Sequence, residues 1–357
     1  MNNLKKLGVT ALAGSLVAVS AQAGEMSING AANFTYKTKS DLVGKGIGSD
    51  KGMTVSGSGE LDNGWGVSVF TTFSDALGLT SHATSLTMGS LGTVTVGEGW
   101  GGNGASFDEE VPQAYEQVSD IHGTTYGSAN AMGSVLGNGG LTWAIPSFDL
   151  GGASAALVLG WSPNADSASV SNGGVGTHAG VYGDGFDAGV TITTDMGLKL
   201  GVYGMTRENN STRAAGVDGV SDEFNGTWYA VYSAGPVSLG YQQSYLDSGV
   251  SGSAEAVTTA KAVRTAAGIF EETQMSIAFN VNDNVSISYT EAEDTYDSQD
   301  NASTAVADQS MDSEALQISY SMGGMSIKAY QIEVTNGGYQ STAKKLSSSE
   351  ISIGLAF

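Results

Sequence analysis

The chain has no cysteine, which excludes a disulfide framework, a thiolate metal centre and a cysteine nucleophile. Proline is almost absent, with 4 in 357 residues, so neither a collagen-like repeat nor a stiff proline-rich linker is available. Positive charge is also scarce: 14 Lys plus Arg stand against 36 Asp plus Glu, for a formal charge of −22. A chain of that sign repels phosphate backbones, which excludes nucleic acid as a partner. Charged residues make up only 14% of the chain, about half the ordinary share. Apolar and aromatic residues nevertheless run throughout, which argues against intrinsic disorder.

Residues 1–23 read as a secretory leader. Lys5 and Lys6 form a basic start, Leu7 to Val19 a short apolar stretch, and Ala21-Gln22-Ala23 a small-residue cleavage site. Removing them leaves 24–357, with 36 acids and 12 bases. No apolar run in that remainder approaches the 18 residues or so that a membrane helix needs.

What the remainder does have is a two-residue period from end to end. Met26, Ile28, Gly30, Ala32, Phe34 and Tyr36 alternate with Ser27, Asn29, Ala31, Asn33, Thr35 and Lys37. The pattern recurs at Ala153–Trp161, Val237–Tyr245, Met275–Val281, Leu316–Met322 and Ile351–Phe357. Connections alternate in size. Short turns such as Asp62-Asn63-Gly64 and Gly323-Gly324 carry the residues that tight turns require. Long polar loops fall at about 38–51, 75–82, 98–139, 162–184, 207–223, 247–269, 291–312 and 335–346.

Seven short turns and eight long loops separate sixteen strands. Aromatics end the apolar stripes on both sides, with Tyr36, Phe73, Trp161, Tyr245 and Tyr289 toward the long loops and Trp65, Phe279 and Phe357 toward the turns. Paired aromatic girdles around an apolar band, on an even number of strands, predict a closed transmembrane β-barrel. In the stretch 224–232 both parities are apolar, which leaves the outer face undecided there. After Met325 the apolar parity shifts to Ile332 and Val334, which predicts a bulge near Tyr330.

On these features the chain resembles the bacterial general porins, the sixteen-stranded trimeric outer-membrane type. Glu109-Glu110-Val111-Pro112-Gln113-Ala114-Tyr115-Glu116-Gln117 and Gly57-Ser58-Gly59-Glu60-Leu61-Asp62-Asn63-Gly64 are similar to segments of marine alphaproteobacterial porins. The resemblance implies an all-β, 16-stranded antiparallel transmembrane barrel in a bacterial outer membrane, reached through the periplasm. It also implies a homotrimer, and a third loop, 98–139, folded into the lumen as a constriction. The terminal Phe357 would then be the signal read by the barrel-assembly machinery.

The third loop supplies Glu98, Asp108, Glu109, Glu110, Glu116 and Asp120, together with Tyr115, and no base. In the family such carboxylates face basic residues on the opposite wall. Here the candidates for the lumen wall are Lys37, Lys199 and Lys328, beside Glu60, and no Lys or Arg occurs between Gly52 and Leu198. A lumen ringed by carboxylates should concentrate cations and let small hydrophilic solutes pass by size. A solute-specific porin is the alternative, with Trp100, Phe107, Tyr115 and Tyr126 either stacking on a substrate or packing the loop.

From Ala266 to Ile327 there are eleven acids and no base. Solvated, like-charged outer loops are one reading. Ca2+ or Mg2+ held by Asp294, Asp297 and Asp300, bridging to lipopolysaccharide and outer-membrane lipid, is the sharper one. No cofactor is otherwise expected. Gly97–Gly102 satisfies G-x-G-x-x-G without a following helix and reads as a loop hinge. His82, His122 and His178 are isolated, so the expectation is a channel rather than an outer-membrane hydrolase with a rim site. Gly57 and Gly59, set beside Gly30 and Ala32, suggest a smooth outer wall, for strand twist or for packing between copies.

Overall fold

The computed structural model describes residues 24–42, 44–98, 100–122, 138–165, 182–210, 217–252, 268–297, 307–340 and 342–357. The expected leader, 1–23, lies outside them. The first half carries β1 (Glu25–Ser40), β2 (Gly46–Glu60), β3 (Gly66–Phe73), β4 (Leu79–Thr87), β5 (Thr93–Glu98), a short helix α1 (Val118–His122), β6 (Asn138–Asp149), β7 (Ala153–Ser162), β8 (Tyr182–Thr194) and β9 (Leu198–Asn209). The second half carries β10 (Val217–Val220), β11 (Glu223–Ala234), β12 (Val237–Asp247), β13 (Val250–Gly252), β14 (Ile269–Asn282), β15 (Val285–Asp297), β16 (Gln309–Met322), β17 (Met325–Thr335) and β18 (Leu346–Ala356).

Sixteen of these strands form one closed antiparallel barrel, sealed where β1 pairs with β18, so the predicted strand number holds. The remaining two, β10 and β13, pair with each other as a separate two-stranded sheet inside the loop regions 207–223 and 247–269. Closure leaves no unpaired edge, which is what a sheet surrounded by lipid requires.

Alternation decides which side chain faces which way. Ile28, Phe34, Trp161, Val202, Leu239, Ile277, Leu316 and Ile353 are all exposed on the outer face, forming an apolar belt. The opposite parity carries Ser, Thr, Gln and carboxylates, together with two buried clusters. One is built from Leu246, Phe270, Tyr296, Met311, Ile332, Val334 and Tyr339, with Val118 and Ile121 of α1. The other joins Phe107, Tyr203, Met205 and Tyr229.

Several local expectations change. In 224–232, Phe224, Trp228 and Tyr232 are exposed outside, while Asn225, Thr227 and Tyr229 are buried on the inward parity. The predicted bulge near Tyr330 does not occur: β17 keeps an unbroken register with both β16 and β18. Ile332 and Val334 are apolar because they point into the first buried cluster. The outer Gln243 sits beside Trp228, whose Nε1 donates to its Oε1 at 3.2 Å, so the belt tolerates the amide.

Strands also run further into the expected loops. β1 and β2 together cover most of 38–51, and β15 continues to Asp297. The glycines of the first two strands do not adjoin. Gly57 lies opposite Met26, and Gly30 lies opposite Met53. A Cβ on Gly30 would fall 2.4 Å from the ring of Phe357, so this glycine makes room for the terminal aromatic.

Candidate functional site

The acid-rich third loop is described from 100 to 122, and its middle part meets inward-parity side chains on one strand after another. Asn103 donates its Nδ2 to Asp187 on β8 at 2.7 Å. The ring of Phe107 stacks on Tyr203 of β9 with centroids 5.1 Å apart and lies 6.2 Å from Tyr229 of β11. Gln242 of β12 donates Nε2 to the Phe107 carbonyl at 2.9 Å and accepts the Glu110 N–H through its Oε1 at 2.6 Å.

On β14, Ser276 donates to the Pro112 carbonyl. The Ala114 N–H donates to Ser288 of β15 at 2.8 Å, and those of Tyr115 and Glu116 donate to Gln317 of β16 at 2.7 and 3.0 Å. Finally the Tyr115 hydroxyl donates to Glu350 of β18 at 2.8 Å. Backbone polar groups of an irregular segment need partners, and this row of inward amides and hydroxyls supplies them. Two close approaches depend on missing side chains. A Cβ on Gly189 would lie 2.4 Å from the Phe107 ring, and one on Gly240 would lie 2.3 Å from Pro112.

The predicted carboxylates have different fates. Glu110 forms an ion pair with Lys199. Glu109 is buried, accepting the Ser119 N–H at 2.9 Å and Gln113 Nε2 at 3.3 Å. Burial holds its carboxyl above the ordinary range, partly offset by the hydrogen bonds from Ser119. Asp108 and Glu116 are half-buried in the same segment. The side chains of Glu98 and Asp120 lie outside the described ones, as does Tyr126.

Among the described residues, the three candidate bases do not form an opposing cluster. Lys199 pairs with the loop itself, Lys328 stands 5.4 Å from the centroid of the Tyr115 ring, and Lys37 pairs with Glu350 at 3.1 Å beside the Tyr115 hydroxyl. All three lie along the wall that the loop touches. Across from it, β2–β6 present hydroxyls on the inward parity, paired as Thr54 with Thr72 at 3.2 Å and Ser85 with Thr95 at 2.8 Å. Glu60 is exposed at the turn end of β2.

The acidic stretch also divides. Asp294 is not on a solvated loop: it is buried on the inward parity of β15, opposite Glu272. Asp297 ends β15, and Asp300 lies outside the described residues. Among the described residues no group of three or more His, Asp and Glu is arranged to hold a metal ion. Gln242, Gln274 and Gln317 were not singled out from the sequence. Their signal was present as long amides on the inward parity among Ser, Thr and Gly.

The closed sixteen-stranded barrel matches solved outer-membrane proteins across nearly its whole length. Salmonella typhi OmpF, in complex with daunomycin, superposes with a TM-score of 0.63 at 12% identity, covering 94% of this chain and 98% of that one. A trimer form of Vibrio cholerae OmpT gives 0.59 at 13% identity, covering 94% and 100%. The chain has the sixteen-stranded porin fold. The outer membrane channel DcaP of Acinetobacter baumannii shares it, with a TM-score of 0.58, 10% identity and coverage of 94% and 97%. No protein-family model and no curated protein matches the sequence. The porin fold therefore rests here on backbone geometry, with sequence identity far below the level at which activity transfers.

Proposed function

We propose that the protein is a porin of a bacterial outer membrane, through which ions and small hydrophilic solutes diffuse passively, with a preference for cations. The observation that carries this reading is the one-sided charge of the third loop. Segment 103–118 runs over the inward faces of β8 to β18 with its carboxylates, and the inward parity of the facing β2–β6 carries hydroxyls and no Lys or Arg, Lys51 of β2 lying on the outer parity and pairing with Asp75. This supports 98–139 as the constriction of a water-filled lumen. With Lys199 and Lys37 each engaged by a carboxylate, no basic cluster among the described residues balances the acids across the channel.

A transverse field of the usual two-signed kind is then replaced by a net negative potential, which enriches cations by mass action. The Debye length is about 8 Å at physiological salt, so the preference is steepest in dilute electrolyte. Phe107 and Tyr115 are engaged in packing against Tyr203 and Tyr330, which favours a general channel over one with an aromatic substrate ladder.

The test is the reversal potential across a salt gradient in planar bilayers. The wild-type channel should select cations, and joint neutralisation of Asp108, Glu109 and Glu110 should bring the potential most of the way toward zero. Unchanged selectivity in that variant would remove the assignment.

Self-association, in a trimer as in the matched OmpT form, is part of the proposal. β3, β4 and β5 have 8, 9 and 6 residues, against 10 to 16 in the other barrel strands. Six residues rising about 3.3 Å each at a tilt of about 40° span roughly 15 Å, short of an apolar band of about 25 Å. A second copy covering that low wall removes the mismatch. Phe357 as the assembly-machinery signal and lipopolysaccharide as neighbouring lipid complete the assignment.

A further inference from the structure

The connection between β17 and β18 turns inward. Gly337, Gly338 and Tyr339 are buried, and Tyr339 is 0% exposed. Its ring packs against Phe270 of β14 and Tyr296 of β15, with centroids 5.5 and 5.7 Å away, and those two rings lie 4.8 Å apart. In the barrel order, β15 and β14 are the second and third strands from β17. At about 4.8 Å per strand, the loop therefore leans roughly 10–14 Å across the inner wall.

Its backbone is shaped for that position. Asn336, Gly338 and Tyr339 hold φ at 55°, 67° and 64°. A tyrosine in the left-handed region is strained, and it persists only where its surroundings impose it. Asn336 donates Nδ2 to the Ser310 carbonyl of β16 at 3.1 Å, and the Gln340 N–H donates to the Asn336 carbonyl at 3.1 Å. The same cluster holds the returning arm of the third loop. Val118 and Ile121 of α1 are buried in it, and Leu42 from the β1–β2 connection and Tyr115 pack against its edge. With five residues, α1 is too short to hold itself as a helix, so its place is fixed by what it packs on. Ser119, between the two buried anchors, donates its N–H to Glu109 at 2.9 Å, which carries the position of α1 over to the acidic part of the loop.

We propose that the last long loop is a second inward strap: Tyr339 wedges against Phe270 and Tyr296, clamps α1, and thereby sets the size limit for solutes passing the third loop. Tyr339 is a positioning residue, acting through packing rather than through contact with the solute. The clamp stands on these contacts alone; the size limit rests on the proposed constriction.

The experiment uses the full barrel, with amide exchange in detergent and entry of neutral oligosaccharides read by liposome swelling. Two variants attack the strap at different points. Tyr339→Ala removes the ring and keeps the turn, whereas Gly338→Val keeps the ring and puts a β-branched side chain at a left-handed position. In both, protection of the Ser119 and Ile121 amides, which donate to Glu109 and to the Gln117 carbonyl, should fall by about tenfold or more. Oligosaccharides excluded by the wild type should then enter. Tyr339→Phe keeps the ring and should retain both the protection and the size limit. Resistance of each barrel to cold detergent checks that the variants fold.

Wild-type protection of Ser119 and Ile121 in either Tyr339→Ala or Gly338→Val overturns the strap. Lost protection with an unchanged sugar limit overturns it as well, because α1 would then be loose without widening the path. If the wild type forms no pores while both variants still lose protection, the clamp is supported and the channel reading is removed instead.

Discussion

The contact between Phe107 and Gly189 offers a direct handle on the third loop. Phe107 is 2% exposed, and a Cβ added at Gly189 would sit 2.4 and 2.5 Å from two of its ring carbons. Ordinary carbon contacts lie at about 3.5–4.0 Å, so Gly189→Ala requires the ring to retreat by about 1 Å. Tyr203, stacked at 5.1 Å, and Tyr229 at 6.2 Å restrict that retreat. Overpacking of this kind costs about 1–3 kcal/mol. At about 1.4 kcal/mol per tenfold, the ratio of docked to undocked loop falls by about 5- to 150-fold.

Phe107→Ala removes the same anchor by leaving a void, at about 3–5 kcal/mol. The two changes should not add. With Ala at both positions the new methyl enters the space the ring leaves, and a coupling of about 0.5–3 kcal/mol is expected for groups in contact. Amide-exchange protection of 104–118 and the spread of single-channel conductance levels measure the outcome. A Gly189→Ala channel with wild-type protection and conductance would refute the argument, because the clash would then have been absorbed without moving the loop.

Other expectations follow from single contacts. Lys199→Ala leaves Glu110 without its counter-ion, so cation preference should rise in dilute salt and fade near 1 M, where the Debye length is about 3 Å; equal reversal potentials in both variants at low salt would contradict this. Ile332→Ala, at a fully buried inward position, should cost about 2–5 kcal/mol. The lipid-facing Ile327→Ala should cost much less, and thermal unfolding in detergent compares the two. Val69→Arg, on the outer face of the short β3, should give monomers in sedimentation if a second copy covers that wall. An unchanged oligomer would place the residue against lipid, where the charge costs about 2–4 kcal/mol near the midplane.

Much of the architecture was readable because a barrel of this kind repeats one rule. Each strand alternates, each apolar stripe ends in an aromatic, and turns alternate with loops, so strand number and outer face follow from counting. Readings failed where an inward residue was itself apolar. Ile332 and Val334 imitate a register shift, because parity tells lipid from water and cannot tell lipid from a buried cluster inside the wall. Asp294 failed for the converse reason: a carboxylate in an acidic stretch reads as solvated loop until strand length puts it opposite Glu272.

The sequence by itself determined the sixteen strands, their outward face, the negative charge and the carboxylates of the third loop, since all of these depend on neighbours within a few residues. Only the tertiary structure decided what each carboxylate meets. Glu110 finds Lys199 across 89 positions of chain, and Tyr115 finds Glu350 across 235. Glu109 shares its burial with β14. Closure of the barrel, with β1 against β18, brings Lys37 to Glu350 on the loop's own side. Such pairings depend on where strands end and how the cylinder seals, which no local period encodes.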